Sequence, residues 1–128
     1  MDEAAEQRLE ERLTRLQERA RIELAVVTVE TTGELDAARY SLDLARCWGV
    51  GPRAGEEGGG LLLLVAVKDR RWHIQVSRSL ERDLPDAEVA DLGSRMRPHF
   101  ASNAYARGIE AGVDGLIARL AEKRNFQP

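Results

Sequence analysis

A chain of 128 residues, 43% of them hydrophobic, is enough for one packed domain. Charged residues make up 32% but are mixed, with a net charge of −3, so the electrostatic footprint of a nucleic-acid binder is missing. The lone cysteine, Cys47, rules out an intramolecular disulfide, and no apolar run reaches the ~18 residues of a membrane span.

Residues 1–20 are charged throughout, which is not the pattern of a signal peptide. Instead Leu9, Leu13, Leu16 and Ala20 recur at helical spacing, predicting an amphipathic helix over Asp2–Arg21. A lone helix of that length is marginal in water, so its apolar face is expected to dock on its own domain. Ile22–Glu30, centred on Leu24-Ala25-Val26-Val27-Thr28-Val29, predicts a strand buried on both faces. A helix follows from about Glu34 to Trp48, with Leu35, Ala38, Leu42 and Ala45 as its apolar stripe.

The segment 49–60 is half glycine and reads as an irregular loop. It leads from a helix into a strand, the reverse of a phosphate-binding loop, and carries Glu56 and Glu57 beside Arg53. Leu61 to Val67 is continuously apolar, a strand buried on both faces in a sheet covered by helices. A tight charged connection, Lys68 to Arg71, implies a hairpin into Trp72–Ser77, where Trp72, Ile74 and Val76 alternate with His73, Gln75 and Ser77. That alternation predicts an antiparallel edge strand with one buried face. Pro85, Asp86 and Glu88 mark a helix start, with Val89, Leu92 and Met96 as its stripe and Pro98 as its end or kink. Asn103 is the expected cap of a last helix to about Lys123, where Ile109, Val113, Leu116 and Leu120 face the core. Gly108, Gly112 and Gly115 lie on a neighbouring face and read as a groove for close packing.

Several short segments in this order carry a resemblance. They are Val26-Val27-Thr28-Val29, Cys47-Trp48-Gly49-Val50-Gly51, Gly60 to Ala66 with Asp69-Arg70, Ile74-Gln75-Val76 with Leu80-Glu81, and Pro98-His99-Phe100 followed by Tyr105 to Ile109. Together they resemble the TPM domain, named for a thylakoid lumen protein, a photosystem repair factor and a nematode receptor regulator. The resemblance spans about residues 7–122 of a single domain. It implies a three-layer α/β/α sandwich, with a small mixed sheet (a parallel βαβ unit plus an antiparallel edge strand) and helices on both faces. It also implies an extracytoplasmic, membrane-tethered parent protein. Members have been described as weak acid phosphatases, as binders of divalent metals and as partners of membrane complexes. Two turns depart from the family pattern: Glu57-Gly58-Gly59-Gly60 lacks the usual Asn-Gly, and Ser77-Arg78-Ser79-Leu80-Glu81 replaces a Gly-x-Gly-Leu-Glu turn.

Strand polarity sorts the polar residues into two ends. Glu56 and Glu57 share one end with Glu81 and Asp83, and Glu57, Glu81 and Asp83 are the candidate ligands for Ca²⁺ or Mg²⁺. The other end carries Thr31, Thr32, Glu34, Asp36 and a candidate anion site at Arg70 and Arg71, although a charged hairpin is also ordinary protection of a sheet edge. Cys47 is expected to be a core thiol, no serine sits in a nucleophile turn, and His73 and His99 lack relay partners. The leading reading is a binding or regulatory module for a protein partner or membrane complex, met through Trp48, the glycine loop or the edge strand. The second is a weak metal-dependent phosphatase that activates water on a cation held by Glu57 and Glu81. The third is a dimer formed through the first helix.

Overall fold

The structure is a computed structural model that describes residues 3–33, 36–48, 59–68, 71–102 and 104–124. Its elements run α1 (Glu3–Ala20), β1 (Ile22–Val29), α2 (Ala37–Trp48), β2 (Gly59–Ala66), β3 (Arg71–Val76), a short 3₁₀ turn (Arg78–Leu80), α3 (Asp86–Ala101) and α4 (Tyr105–Arg124). This is the α/β class with a mixed sheet that the sequence predicts. The elements gather into two compact units, one of Arg21–Leu80 and one of Met1–Ala20 with Glu81–Pro128.

In the first unit β2 is central, and the strand order is β1-β2-β3. β1 pairs parallel with β2 from Ile22↔Gly59 to Val29↔Ala66, and β3 pairs antiparallel from Leu61↔Val76 to Ala66↔Arg71. Every residue of β2 is buried, as its unbroken apolar text requires. Burying each of its four leucines is worth about 1.5–3 kcal/mol, which makes this strand the anchor of the unit. The strand begins two residues earlier than the predicted loop allows. Gly59 opens it because the Leu80 side chain fills the space that a Cβ at position 59 would take.

Three expectations for this unit change. β1 is not buried on both faces: Leu24 is buried, but Ala25, Val26, Val27 and Val29 are only half-buried, because β1 is an edge of the sheet. β3 does not show one wet face. His73 and Gln75 are half-buried, because they share the face of Leu64 and Leu62 on which α2 packs, and His73 Nε2 lies 3.2 Å from Gln75 Oε1. Finally, α2 does not turn the Leu42 and Ala45 stripe fully inward. Tyr40 and Leu44 pack on Leu62 and Leu64, Ser41 is completely buried, and Leu42 and Ala45 stay half-exposed. α2 also starts at Ala37 rather than Glu34, because the Asp36 carboxylate accepts the Arg39 N–H at 2.7 Å and caps the helix there. The side chains of Cys47 and Trp48 and the whole of 49–58 lie outside the described residues, and so do the expectations placed on them.

In the second unit α3 and α4 run antiparallel and α1 runs parallel to α4. Leu92, Met96 and Phe100 meet Gly115, Gly112 and Gly108 in descending order, while Arg8 pairs with Glu110 at 3.1 Å and Arg12 with Asp114 at 2.7 Å in ascending order. Docking of the first helix on its own chain is therefore seen, with Ala5, Leu9 and Leu16 buried. Ile109, Val113, Leu116 and Leu120 are completely buried, and the glycine stripe is the close-packing groove the sequence predicts. α3 runs through Pro98 to Ala101 instead of ending there. A proline so near the C-terminus forfeits one backbone bond. The Ser102 hydroxyl then closes the final turn on the carbonyls of Pro98 and His99, both at 3.2 Å. Arg119 of α4 binds two α3 acids, Glu88 at 3.2 Å and Asp91 at 2.6 Å. Asn103, the expected cap of α4, lies outside the described residues.

Candidate functional site

The turn after β3 is the part of the candidate metal end that the structure describes in most detail. Antiparallel pairing carries the chain back to the start of β2, as strand polarity predicts. There Ser77 N–H donates to the Gly60 carbonyl at 3.0 Å, and Gly60 N–H donates back to Ser77 Oγ at 3.0 Å. Ser77 Oγ also lies 3.1 Å from Ser79 Oγ, and Leu80 N–H closes the turn on the Ser77 carbonyl. The two serines that replace glycines thus spend their hydroxyls on the turn itself. Leu80 is completely buried against Gly59. Glu81, next in the chain, is exposed, while Asp83 is half-buried and already engaged by a polar partner. Glu57, the third candidate ligand, lies outside the described residues. Among the described residues no three His, Cys, Asp or Glu side chains gather as metal ligands.

At the opposite end of the sheet the parallel strands finish in a bonded loop. Thr31 Oγ1 accepts the Gly33 N–H at 3.0 Å, and Gly33 sits at a φ of +66°, where a glycine is at ease. Thr32 is buried, and the Lys68 N–H donates to the Glu30 carbonyl at 2.8 Å. The α2 N-terminus, a natural seat for an anion, already holds the Asp36 carboxylate. Arg71 is exposed at the first position of β3, opposite Ala66, and Arg70 lies outside the described residues. Thr31, Thr32, Asp36 and Arg71 therefore do lie at one end of the sheet, but Thr31 and Asp36 serve the backbone and Thr32 is buried.

The helical unit has an apolar crevice of about 240 Å³ between α1 and α4, lined by Leu16, Ile117 and Ala118 with Arg15 and the Arg12–Asp114 pair. Sequence reading missed this crevice, which depends on which helices pair. It also missed the bare outer edge of β1, because its unbroken apolar text reads equally well as a central strand. The cap at Asp36 was missed too, although a short acid three residues before a helical N–H is the signal that could have found it.

No curated protein matches this chain. Solved structures do. The N-terminal domain of a protein from P. gingivalis is 32% identical with a TM-score of 0.85, over all of this chain (100%) and 81% of that one. The BA42 protein of the psychrophilic Bizionia argentinensis is 17% identical with a TM-score of 0.79, over 95% of this chain and 82% of its own. The N-terminal domain of the cg2496 protein of Corynebacterium glutamicum is 13% identical with a TM-score of 0.69, over 90% and 70%. The latter two attest the fold alone. A sequence profile of the TPM domain matches residues 1–119, which takes in the three described strands, the serine-closed turn and the glycine notches of α4. This chain belongs to the TPM domain family.

Proposed function

We propose that this chain is a TPM-type binding or regulatory module of an extracytoplasmic, membrane-tethered protein. Its partner surface is centred on the β3 edge. The observation that carries this reading is β3 itself. Its outer edge pairs with no described strand, and Trp72, His73, Gln75 and Val76 along it are all half-exposed. A half-exposed tryptophan beside unpaired backbone groups is what strand-addition surfaces offer a partner. The serine-closed turn supports the same reading, because its polar groups are turned inward. Among the described residues no helix is long and apolar enough to cross a membrane, so tethering would come from elsewhere in a longer protein.

The deciding experiment is an amide NMR titration of EDTA-treated protein with Ca²⁺ and then Mg²⁺, followed by photo-crosslinking from position 72 in the producing cell. Silence toward millimolar cation, with a crosslinked partner whose purified form loses affinity for Trp72→Ala, is the expected result. Shifts confined to 55–60 and 78–84, with phosphatase turnover abolished by Glu57→Ala or Glu81→Ala, would replace it with the metal-dependent enzyme.

A further inference from the structure

The polar and apolar residues of β3 fall on opposite faces, and its free backbone edge runs between them. The Ser77 N–H donates to the Gly60 carbonyl, so in the antiparallel register Gln75, His73 and Arg71 exchange the ladder bonds with Leu62, Leu64 and Ala66. By alternation Trp72, Ile74 and Val76 turn their N–H and C=O groups outward, and no described strand receives them. Their side chains form an apolar face, on which Ile74 is buried and Trp72 and Val76 are half-exposed. The face on the α2 side holds Arg71, His73 and Gln75. There His73 Nε2 lies 3.2 Å from Gln75 Oε1. An amide oxygen only accepts, so the ring nitrogen donates and the Gln75 NH₂ stays open to an acceptor. From Arg71 to Leu80 the chain carries two arginines, one histidine and no acid. The outer strand β1, by contrast, has Glu23 exposed near one end and Glu30 exposed just past the other.

We infer, on the strength of the reading of β3 as the partner surface, that the segment it receives is an extended peptide in which acidic residues alternate with apolar ones. An added strand sends successive side chains to opposite faces, so only a two-residue period matches both faces of β3. Its residues opposite Trp72, Ile74 and Val76 join the apolar face, where the half-exposed indole offers the largest area to cover. Its residues opposite Arg71, His73 and Gln75 meet donors. In an antiparallel arrangement these are the closely spaced pairs of the new ladder, in which side chains lie nearer to each other. Carboxylates at those positions accept from the Arg71 guanidinium and the Gln75 amide. Charge on an edge strand resists pairing between copies of one chain. Here the charge has one sign, so it also selects a partner of the other sign. Glu23 and Glu30 turn the same peptide away from β1.

The test is an amide NMR titration of the intact chain with a short capped peptide of alternating valine and glutamate, carried to millimolar concentration. Shifts centred on residues 72–76 are expected, with slowed hydrogen exchange at the Trp72, Ile74 and Val76 amides. The same peptide with lysine in place of glutamate should bind at least about tenfold more weakly. Methylating the peptide nitrogens that face β3 should abolish binding, since the backbone bonds are lost. Arg71→Glu combined with Gln75→Glu should reverse the preference between the two peptides. Arg71→Glu alone changes an exposed side chain, so it should narrow the gap even if the double variant unfolds. No shifts at 72–76 with either peptide, or equal binding of both, overturns the inference. The reading of β3 as a partner surface still stands in that event if position 72 crosslinks a partner sensitive to Trp72→Ala, so the two fail separately.

Discussion

The sulfur of Met96 occupies the volume that a side chain at Gly112 would need. One turn away on either side, the Phe100 ring stands over Gly108 and a Leu92 methyl over Gly115, so three α3 side chains sit in three notches of α4. Alanine at these glycines should gain about 1 kcal/mol of helix propensity but must displace the occupant of each notch. The occupants differ in what they can do. Phe100 is a flat ring stacked on Tyr105 with centroids 5.8 Å apart, and the added methyl would also crowd His99 Cβ. Met96 can bend, and Leu92 presents only a terminal methyl. Urea unfolding should therefore rank Gly108→Ala worst, at a net cost of about 2 kcal/mol, then Gly112→Ala, with Gly115→Ala near neutral.

Gly59 and Leu80 should behave as one unit. Gly59→Ala drives a methyl into the whole isobutyl group of Leu80, at about 1–3 kcal/mol, and Leu80→Ala empties a completely buried position at about 2–5 kcal/mol. In the double variant the new methyl enters the space that Leu80 vacated. Its loss should fall short of the sum of the single losses by at least about 1 kcal/mol in a double-mutant cycle.

Ser41 is the reverse case, a completely buried hydroxyl whose oxygen has no hydrogen-bond partner among the described residues. Burying such a group costs about 1–3 kcal/mol, and alanine is also the better helix former. Ser41→Ala should raise the stability by about 1 kcal/mol without moving amide resonances outside α2 and the sheet face beneath it.

Arg21 sits at a φ of 56°, the left-handed conformation in which chains commonly leave a helix and which glycine adopts without strain. Arg21→Gly should stabilise the chain by about 0.5–1 kcal/mol, measured by urea unfolding.

The sequence by itself determined the order and type of the elements, the buried central strand, the α4 glycine groove and the family. Those rest on local information: the period of apolar residues in a helix or strand, and the text of short motifs. Only the tertiary structure decided which side of each element is covered. Ser41 is buried while Leu42 is half out, because the face of α2 that matters is set by the strands beneath it. β1 reads like an interior strand but lies at an edge, because three strands leave two edges and no chain text names the neighbour. The candidate site was legible as an end of the sheet, from strand polarity alone. The closure of its turn by Ser77, Ser79 and Leu80 was not, since it depends on contacts with Gly59 and Gly60 about twenty residues away. Periodicity fixes what a segment can bury, and long-range packing fixes what it does bury.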